Sequence, residues 1–305
     1  MIYTVTFNPA LDYVISVDHF QTGKVNKVYE EHMVFGGKGI NVSFILKELG
    51  YEVKALGFTA GFTGAELERG VEEVYGLDHD FIRVNNGMTR INVKLRSSEE
   101  TEINGMGPQI RKDDLDRLFE QLDTMAEGDV LILSGSVPAD IPDTLYGDIM
   151  NRLRDKDILF VVDATGKLLV NALPYRPFLI KPNNHEIEEI FGVKLRGIED
   201  ITAYAGKLQE MGARNVLVSL AKNGSLLLDE NGNVHRMGVC KGKVKNSVGA
   251  GDSMVAGFVG GYLKNRDYDE ALLLATACGG STAFSDGLAE REFIEENLKK
   301  LKDQL

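Results

Sequence analysis

The chain has 305 residues, 43% hydrophobic and 26% charged, the proportions of a globular protein with a sizeable core; at about 150 residues per domain it holds one large domain or two small ones. Lysine and arginine number 34 against 46 acidic residues, a net charge of −12, which argues against nucleic acid as the principal partner because duplex binders carry a basic field. A membrane, secreted or disulfide-scaffold protein is not expected: no run approaches the roughly 18 apolar residues of a membrane helix, MIYTVTFNP lacks the regions of a signal peptide, and Cys240 and Cys278 make no metal spacing and suit a reducing, cytoplasmic compartment.

Residues 2–7 read as a buried strand ended by Asn8-Pro9, and 13–20 and 29–35 as half-polar β-like runs. Helical spacing at Ile40, Phe44, Ile45 and Leu49 predicts a helix that stops at Gly50. A strand over 53–58 and a helix over about 65–75 follow, then short strands at 81–84, 90–96 and 101–104, of which RINVKLR alternates clearly. From 115 onward the pattern is regular: helix 115–125, strand 129–133, helix 142–153, strand 158–162, a short helix near Leu168 and strand 178–180. Helices 186–191 and 201–211 lead to strand 216–220, and a hairpin over 225–238 turns at Asn231-Gly232. Helices over about 250–264, 269–284 and 290–304 complete the chain.

Alternating strands and helices predict an α/β fold of parallel βαβ units with helices on both faces, a three-layer α/β/α arrangement. The half-polar strands do not suit a doubly buried sheet. They are expected in a small β-sheet lid, formed by insertions at about 12–35 and 81–106 and lying over a ligand crevice. With no internal repeat and no Pro/Ser-rich linker, the lid elaborates one domain spanning 1–305. Open α/β sheets bind ligands outside the carboxyl ends of their strands.

The chain carries 33 glycines, an excess that belongs at turns and close backbone approaches. In NSVGAGDSMVAGF (246–258), Gly249 and Gly251 flank Ala250 before an apolar helical run. Backbone N–H groups converging at a helix entrance attract an anion. Asp252 in that turn would repel a phosphate unless it had a chemical task, such as accepting a proton from an attacking hydroxyl. It could equally cap the helix, and spacing alone leaves both readings open. The segment is not a Walker A loop, and it lacks the third glycine of a dinucleotide fingerprint. A second cluster, FGGKGINVS (35–43), offers Lys38 and Asn41 to a polar or anionic ligand; its plain alternative is a tight turn before a helix. The five histidines (His19, His32, His79, His185, His235) show no ligand spacing.

NPALD (8–12), GGKGINVS (36–43), SGSVP (134–138), KPNNHE (181–186) and NSVGAGD (246–252) occur in the order seen in ribokinase-like carbohydrate kinases. The chain resembles the phosphofructokinase-B branch of that superfamily from first strand to last helix. TRINVKL (89–95) and ETEINGMGP (100–108) are most similar to the bacterial 1-phosphofructokinases.

The resemblance implies a cytoplasmic kinase that uses ATP and Mg²⁺ to phosphorylate the 6-hydroxyl of fructose 1-phosphate. The free edges and apolar face of a half-exposed lid sheet predict a homodimer joined through the lids. Asp252 matches the base that takes the hydroxyl proton, and the backbone of Gly249, Ala250 and Gly251 matches the anion hole over the transferred group. Asp12, expected to end the first strand, is carried over as an acceptor for sugar hydroxyls, with Gly36, Gly37 and Asn41 as further sugar contacts. Arg90 matches the contact to the substrate phosphate, to which a guanidinium fork is suited, with Lys24 and Lys38 in support. Asn183 and Glu186 form an N-x-x-E element expected to point both side chains at one hydrated cation, and Lys181 is expected at the nucleotide phosphates. Ser219, Leu220, Ala221, Lys222, Asn223 and Gly224 match the loop under the adenosine, where the branch commonly has glycine in place of Ala221. Ser247 and Val248 belong to the same nucleotide site, and Ser281 is expected to close over the base. Alternatives are the same chemistry on tagatose 6-phosphate or fructose 6-phosphate, and a non-catalytic sugar-phosphate or nucleotide sensor on the same fold.

Overall fold

The computed structural model describes residues 1–304. In chain order its first elements are β1 (Ile2–Thr6), β2 (Ala10–Val17), β3 (Val28–Gly36), α1 (Lys38–Glu48), β4 (Val53–Ala60), α2 (Gly61–Arg69) and β5 (Asp78–Val84). There follow β6 (Arg90–Arg96), β7 (Glu100–Asn104), α3 (Lys112–Asp123), β8 (Val130–Ser134), α4 (Leu145–Arg152), β9 (Leu159–Asp163) and α5 (Gly166–Ala172). The last are β10 (Leu179–Ile180), α6 (Asn184–Phe191), α7 (Ile198–Glu210), β11 (Asn215–Ser219), β12 (Ser225–Leu228), β13 (Val234–Met237), α8 (Ala250–Asn265), α9 (Tyr268–Ala283) and α10 (Arg291–Lys302).

Nine strands form one sheet in the order β13-β12-β11-β10-β9-β8-β1-β4-β5. All neighbours are parallel except β11–β12 and β12–β13. Every residue of VLILS in β8 is buried, because the sheet is covered on both faces. Leu131 and Leu133 enter a core shared with α3, α4, α5 and α7, whereas Val130 and Ile132 enter the opposite core with α1, α8, α9 and α10. The two-residue period of a strand sorts alternate side chains into the two cores, so such strands read as continuous apolar runs. Truncating the fully buried Leu131 to alanine would cost about 2–5 kcal/mol.

The second sheet has the order β3-β2-β6-β7. The expected lid therefore exists, with one correction: residues 81–84 belong to β5, which pairs in parallel with β4 at the edge of the large sheet. An edge strand is exposed along one side, so β5 alternates in burial and mimics a lid strand in sequence. The predicted helix over 65–75 begins earlier, at Gly61, and ends in a wider π-helical turn over 70–74.

Candidate active site

Topology brings the sequence-separated motifs to the carboxyl edge of the parallel strands. Gly249, with φ +79°, sits in the left-handed region at the entrance to α8 and carries no side-chain cap. The first helical N–H with an intrahelical partner is that of Ser253, bonded to Gly249 O at 2.8 Å, so the first-turn N–H groups of α8 have no partner within the helix. Asp252 lies in this turn and is buried. Asn41, in the first turn of α1, donates from Nδ2 to Asp252 Oδ2 at 2.8 Å and ties the two glycine clusters together.

Beneath this turn lies Asp163, at the carboxyl end of β9 and 2% exposed. Lys38 Nζ approaches Asp163 Oδ2 at 3.2 Å and Lys181 Nζ approaches Oδ1 at 3.4 Å. Lys38 begins α1, and its aliphatic stem crosses Gly135 in SGSVP, where a β-carbon would lie 3.7 Å from it. Lys181 follows β10, and its ammonium sits 3.2 Å from where a side chain on Gly251 would begin. The two lysines thus converge on the helix entrance.

Burial disfavours charge on Asp163, but Lys181 and Lys38 outweigh it and hold the carboxyl below its usual range. Asp252 is displaced the other way. Burial and then the negative charge of Asp163 push its pKa up to about 6, against the smaller opposing effects of Lys38, the Asn41 hydrogen bond and Lys181. Burial opposes the charge on Lys38, yet Asp163 and Asp252 together keep its pKa above the ordinary value. An acid able to change protonation near neutrality therefore sits beside the Lys38 and Lys181 side chains.

The opposite wall is the small sheet. Asp12 lies on β2 within that sheet rather than at the end of β1, because the chain turns through Asn8-Pro9 and resumes pairing at Ala10. Its Oδ1 accepts from Asn92 Nδ2 at 2.7 Å, and its Oδ2 packs over Gly36, where a β-carbon would lie 2.9 Å away. Burial raises the Asp12 pKa despite Asn92, Lys94 and Arg90. Arg90, two residues before Asn92 and on the same face of β6, keeps a buried Nε without a partner, and burial lowers its pKa against the pull of Asp12. Asp12, Gly36 and Asn41 line a crevice whose far side is formed by Asn246, Val248 and Leu288. Lys24 is exposed on the loop between β2 and β3, and Gly37 turns the chain into α1.

Asn183 and Glu186 differ from expectation. Asn183 is the N-cap of α6, and the two form a reciprocal capping box: Asn183 Oδ1 accepts from Glu186 N at 2.9 Å, and Glu186 Oε2 accepts from Asn183 N at 2.8 Å. One Glu186 oxygen remains uncommitted. Among the described residues no three His, Cys, Asp or Glu side chains cluster as a ready metal site. This donor set fits a cation that arrives on phosphates and keeps its water shell; it does not suit a resident ion.

Ser219 ends β11 and is bridged to Asn183. Leu220 N donates to Gly224 O at 2.9 Å and closes the turn that exposes Lys222 and Asn223. Ala221 has φ +48°, a left-handed conformation that costs an alanine about 1–2 kcal/mol and explains why glycine suits this position. Ser247 O accepts from Ala250 N at 3.3 Å and Val248 lines the crevice. Ser281 is not brought to the site: it is wholly buried, its hydroxyl held between Asn297 Nδ2 and Phe293 O. Asp163 and Asn92 were absent from the sequence-based set. An acid ending the apolar run LFVVD, and an amide in phase with Arg90 in RINVKLR, were the available signals.

No helix among the described residues is long and apolar enough to cross a membrane. Residues 5–292 match the pfkB family carbohydrate kinases. The chain is 43% identical over 302 residues to the 1-phosphofructokinase of Bacillus subtilis, covering 99% of each chain. It is 35% identical over 305 residues to the D-tagatose-1-phosphate kinase of Bacillus licheniformis, again covering 99% of each. The structure of phosphofructokinase-2 from Escherichia coli matches with a TM-score of 0.93 at 24% identity, covering 99% of both chains. That of Arabidopsis thaliana ribokinase matches at 0.79 and 19%, covering 98% of both; these two likenesses are of fold, which is ribokinase-like. With the family match running through both glycine clusters and the buried acid, the chain belongs to the pfkB family of carbohydrate kinases, ATP-using phosphotransferases with an alcohol group as acceptor.

Proposed function

We propose that this chain is a single kinase domain transferring the γ-phosphoryl group of ATP to the 6-hydroxyl of fructose 1-phosphate, yielding fructose 1,6-bisphosphate and ADP. The observation that carries the reading is Asp252, a buried carboxyl with a pKa of about 6 at an uncapped helix entrance, held by Asn41 and faced by two lysines. Its carboxylate takes the hydroxyl proton as the sugar oxygen bonds to the γ-phosphorus and the bond to the ADP oxygen breaks. Backbone N–H groups at Gly249, Ala250 and Gly251 receive the charge on the phosphoryl oxygens, with Lys38 and Lys181 beside them. Such a reaction asks for positioning and charge stabilisation more than covalent chemistry.

Mg²⁺ on the nucleotide would neutralise phosphate charge, and the free oxygen of Glu186, oriented by Asn183, would hold water of its shell. The turn from Ser219 to Gly224, with Ser247 and Val248, would seat the nucleotide. Asp12 and Asn41, with the backbone at Gly36 and Gly37, would hold sugar hydroxyls. The free Nε of Arg90 suits the substrate phosphate, whereas Lys24 lies beyond the far end of β2 from Arg90 and is left without a role. The two free, buried cysteines agree with a cytoplasmic setting.

The outer lid face supports a homodimer. Met33, Tyr13, Val93 and Ile103 lie in one row across all four strands, with Met33 43% and Ile103 61% exposed. Two lids packed face to face would cover this row. Sedimentation at micromolar concentration should give a dimer that Ile103→Lys dissociates; a monomeric parent chain would overturn this assembly.

The function is tested by ADP release with Mg-ATP and, separately, fructose 1-phosphate, tagatose 1-phosphate, fructose 6-phosphate and tagatose 6-phosphate. The expected kcat/KM is at least ~100-fold higher for fructose 1-phosphate than for the 6-phosphates, about 2.7 kcal/mol in transition-state binding. Tagatose 1-phosphate, suggested by the Bacillus licheniformis relative, differs only in configuration at C4 and is the closest competitor. Preference for a 6-phosphate would overturn the substrate but leave the base in place. No ADP from any sugar would favour the sensor.

A further inference from the structure

We propose that Asn92 is a positioning residue for sugar binding, fixing the Asp12 carboxylate by bridging it to the backbone of Gly105. Parallel pairing of β2 with β6 places Asp12 directly opposite Asn92. Asn92 is 5% exposed, so each polar atom of its amide needs a partner. Oδ1 accepts from Gly105 N at 3.1 Å and Nδ2 donates to Asp12 Oδ1 at 2.7 Å. A backbone N–H can only donate, so the bond to Gly105 decides which end of the amide is oxygen and turns the NH₂ toward the carboxylate.

The carboxylate is consequently caught on two sides. One oxygen is committed to Asn92, and the other rests over Gly36 beside the crevice. The loop that holds Asn92 is itself held. Gly105 presses on Ile91 O, where a β-carbon would lie at 2.8 Å, and Asn8 Nδ2 donates to Met106 O at 3.0 Å. Asn92 thereby joins β2, β6 and the segment after β7, and it transmits the lid's backbone geometry to the oxygen left for a ligand. Its N–H also favours the ionised form of Asp12, the form that accepts hydrogen bonds from sugar hydroxyls.

This inference rests on Asp12 contacting sugar hydroxyls, as in the function proposed above. The test is a double-mutant cycle of Asn92→Leu and Asp12→Asn, reading KM for the ketohexose phosphate, KM for ATP and kcat, with thermal melts for folding. Asn92→Leu should raise the sugar KM about 10-fold or more with the ATP KM little changed. It should also move the acid limb of sugar binding to higher pH, because the donor that favours ionised Asp12 is gone. In the Asp12→Asn background the same change should add less than about 3-fold, since the residue acts through Asp12. Losses that multiply, or that fall equally on sugar and ATP, would overturn the proposal and mark Asn92 as a lid-packing residue. If Asn92→Leu does not fold, Asn92→Ser is read in the same cycle. The cycle uses whichever ketohexose phosphate the wild type prefers, or its Kd if none turns over, so a wrong substrate and a wrong role for Asn92 give different results.

Discussion

The floor of the crevice and its lid wall hold acids in contrasting ways. On the floor, Asp163 and Asp252 are both buried, yet their pKa values move in opposite directions. Asp163 touches two ammonium groups, whereas Asp252 has an amide as its direct partner and feels Asp163 as a like charge. On the lid, Asp12 resembles Asp252: its hydrogen-bond partner is again an amide, and burial again raises it. Burial alone does not decide protonation; the charge of the nearest partner does. In the function proposed above, the floor passes a proton and stabilises charge, and the lid holds an oriented acceptor.

The largest effect should come from Asp252→Asn, which removes the proton acceptor and keeps a side chain that Asn41 can bond. We expect kcat to fall about 10²–10⁴-fold, with the nucleotide Kd changed only slightly. Stability should move oppositely. The folded-state pKa of about 6 lies above the ordinary 3.8, so the ionised form strains the native state. Wild-type stability is lost as pH rises across that interval, by a total on the order of 3 kcal/mol. Asp252→Asn should therefore raise Tm at pH 7 and leave it nearly unchanged at pH 4.

Asp163→Asn tests whether the two floor acids are linked. Leaving the buried Lys181 ammonium and the half-buried Lys38 ammonium without their carboxylate should cost about 3–5 kcal/mol in a denaturant melt. With its like charge gone, the Asp252 pKa should fall, and the acid limb of kcat should move to lower pH. A limb that stays near 6 would break the account of the floor.

Gly36→Ala sharpens the lid side. The added methyl meets Asp12 Oδ2 at 2.9 Å, and such overpacking costs about 1–3 kcal/mol. The sugar KM should rise about 10-fold while kcat and the ATP KM stay near wild type. A matching loss in kcat would show that the two walls are not separable.

The smallest effect lies outside both regions. On the edge strand β13, His235 bonds Asp269 at 2.7 Å and Asp229 at 3.2 Å. Burial disfavours its charge, but the two carboxylates outweigh burial and raise its pKa. Its contribution is present below the unfolded-state pKa of about 6.5 and is lost as pH rises through the folded value. His235→Ala should cost about 0.5–1 kcal/mol at pH 5.5 and less at pH 9, with kcat unchanged.

Much of this was legible in the residues themselves. Strand and helix periods gave the three layers, because a doubly covered sheet imposes continuous apolar runs and a one-sided lid imposes alternation. Glycines at helix entrances marked Gly249 and Gly36, since backbone that must approach a side chain or adopt positive φ excludes most other residues. Edge strand β5 was misread as lid because exposure along an edge produces the same alternation.

What only the tertiary structure decided was partnership. Asp163 becomes meaningful through Lys38, 125 positions earlier. Asn92 becomes meaningful through Asp12, 80 positions away, and the Asp252 pKa depends on Asn41 and Asp163 from other strands and helices. Residue type and spacing along the chain determined which groups could do chemistry. Their protonation and orientation depend on the few ångströms around each group, and those neighbours are assembled only when distant strands come to one edge of the sheet.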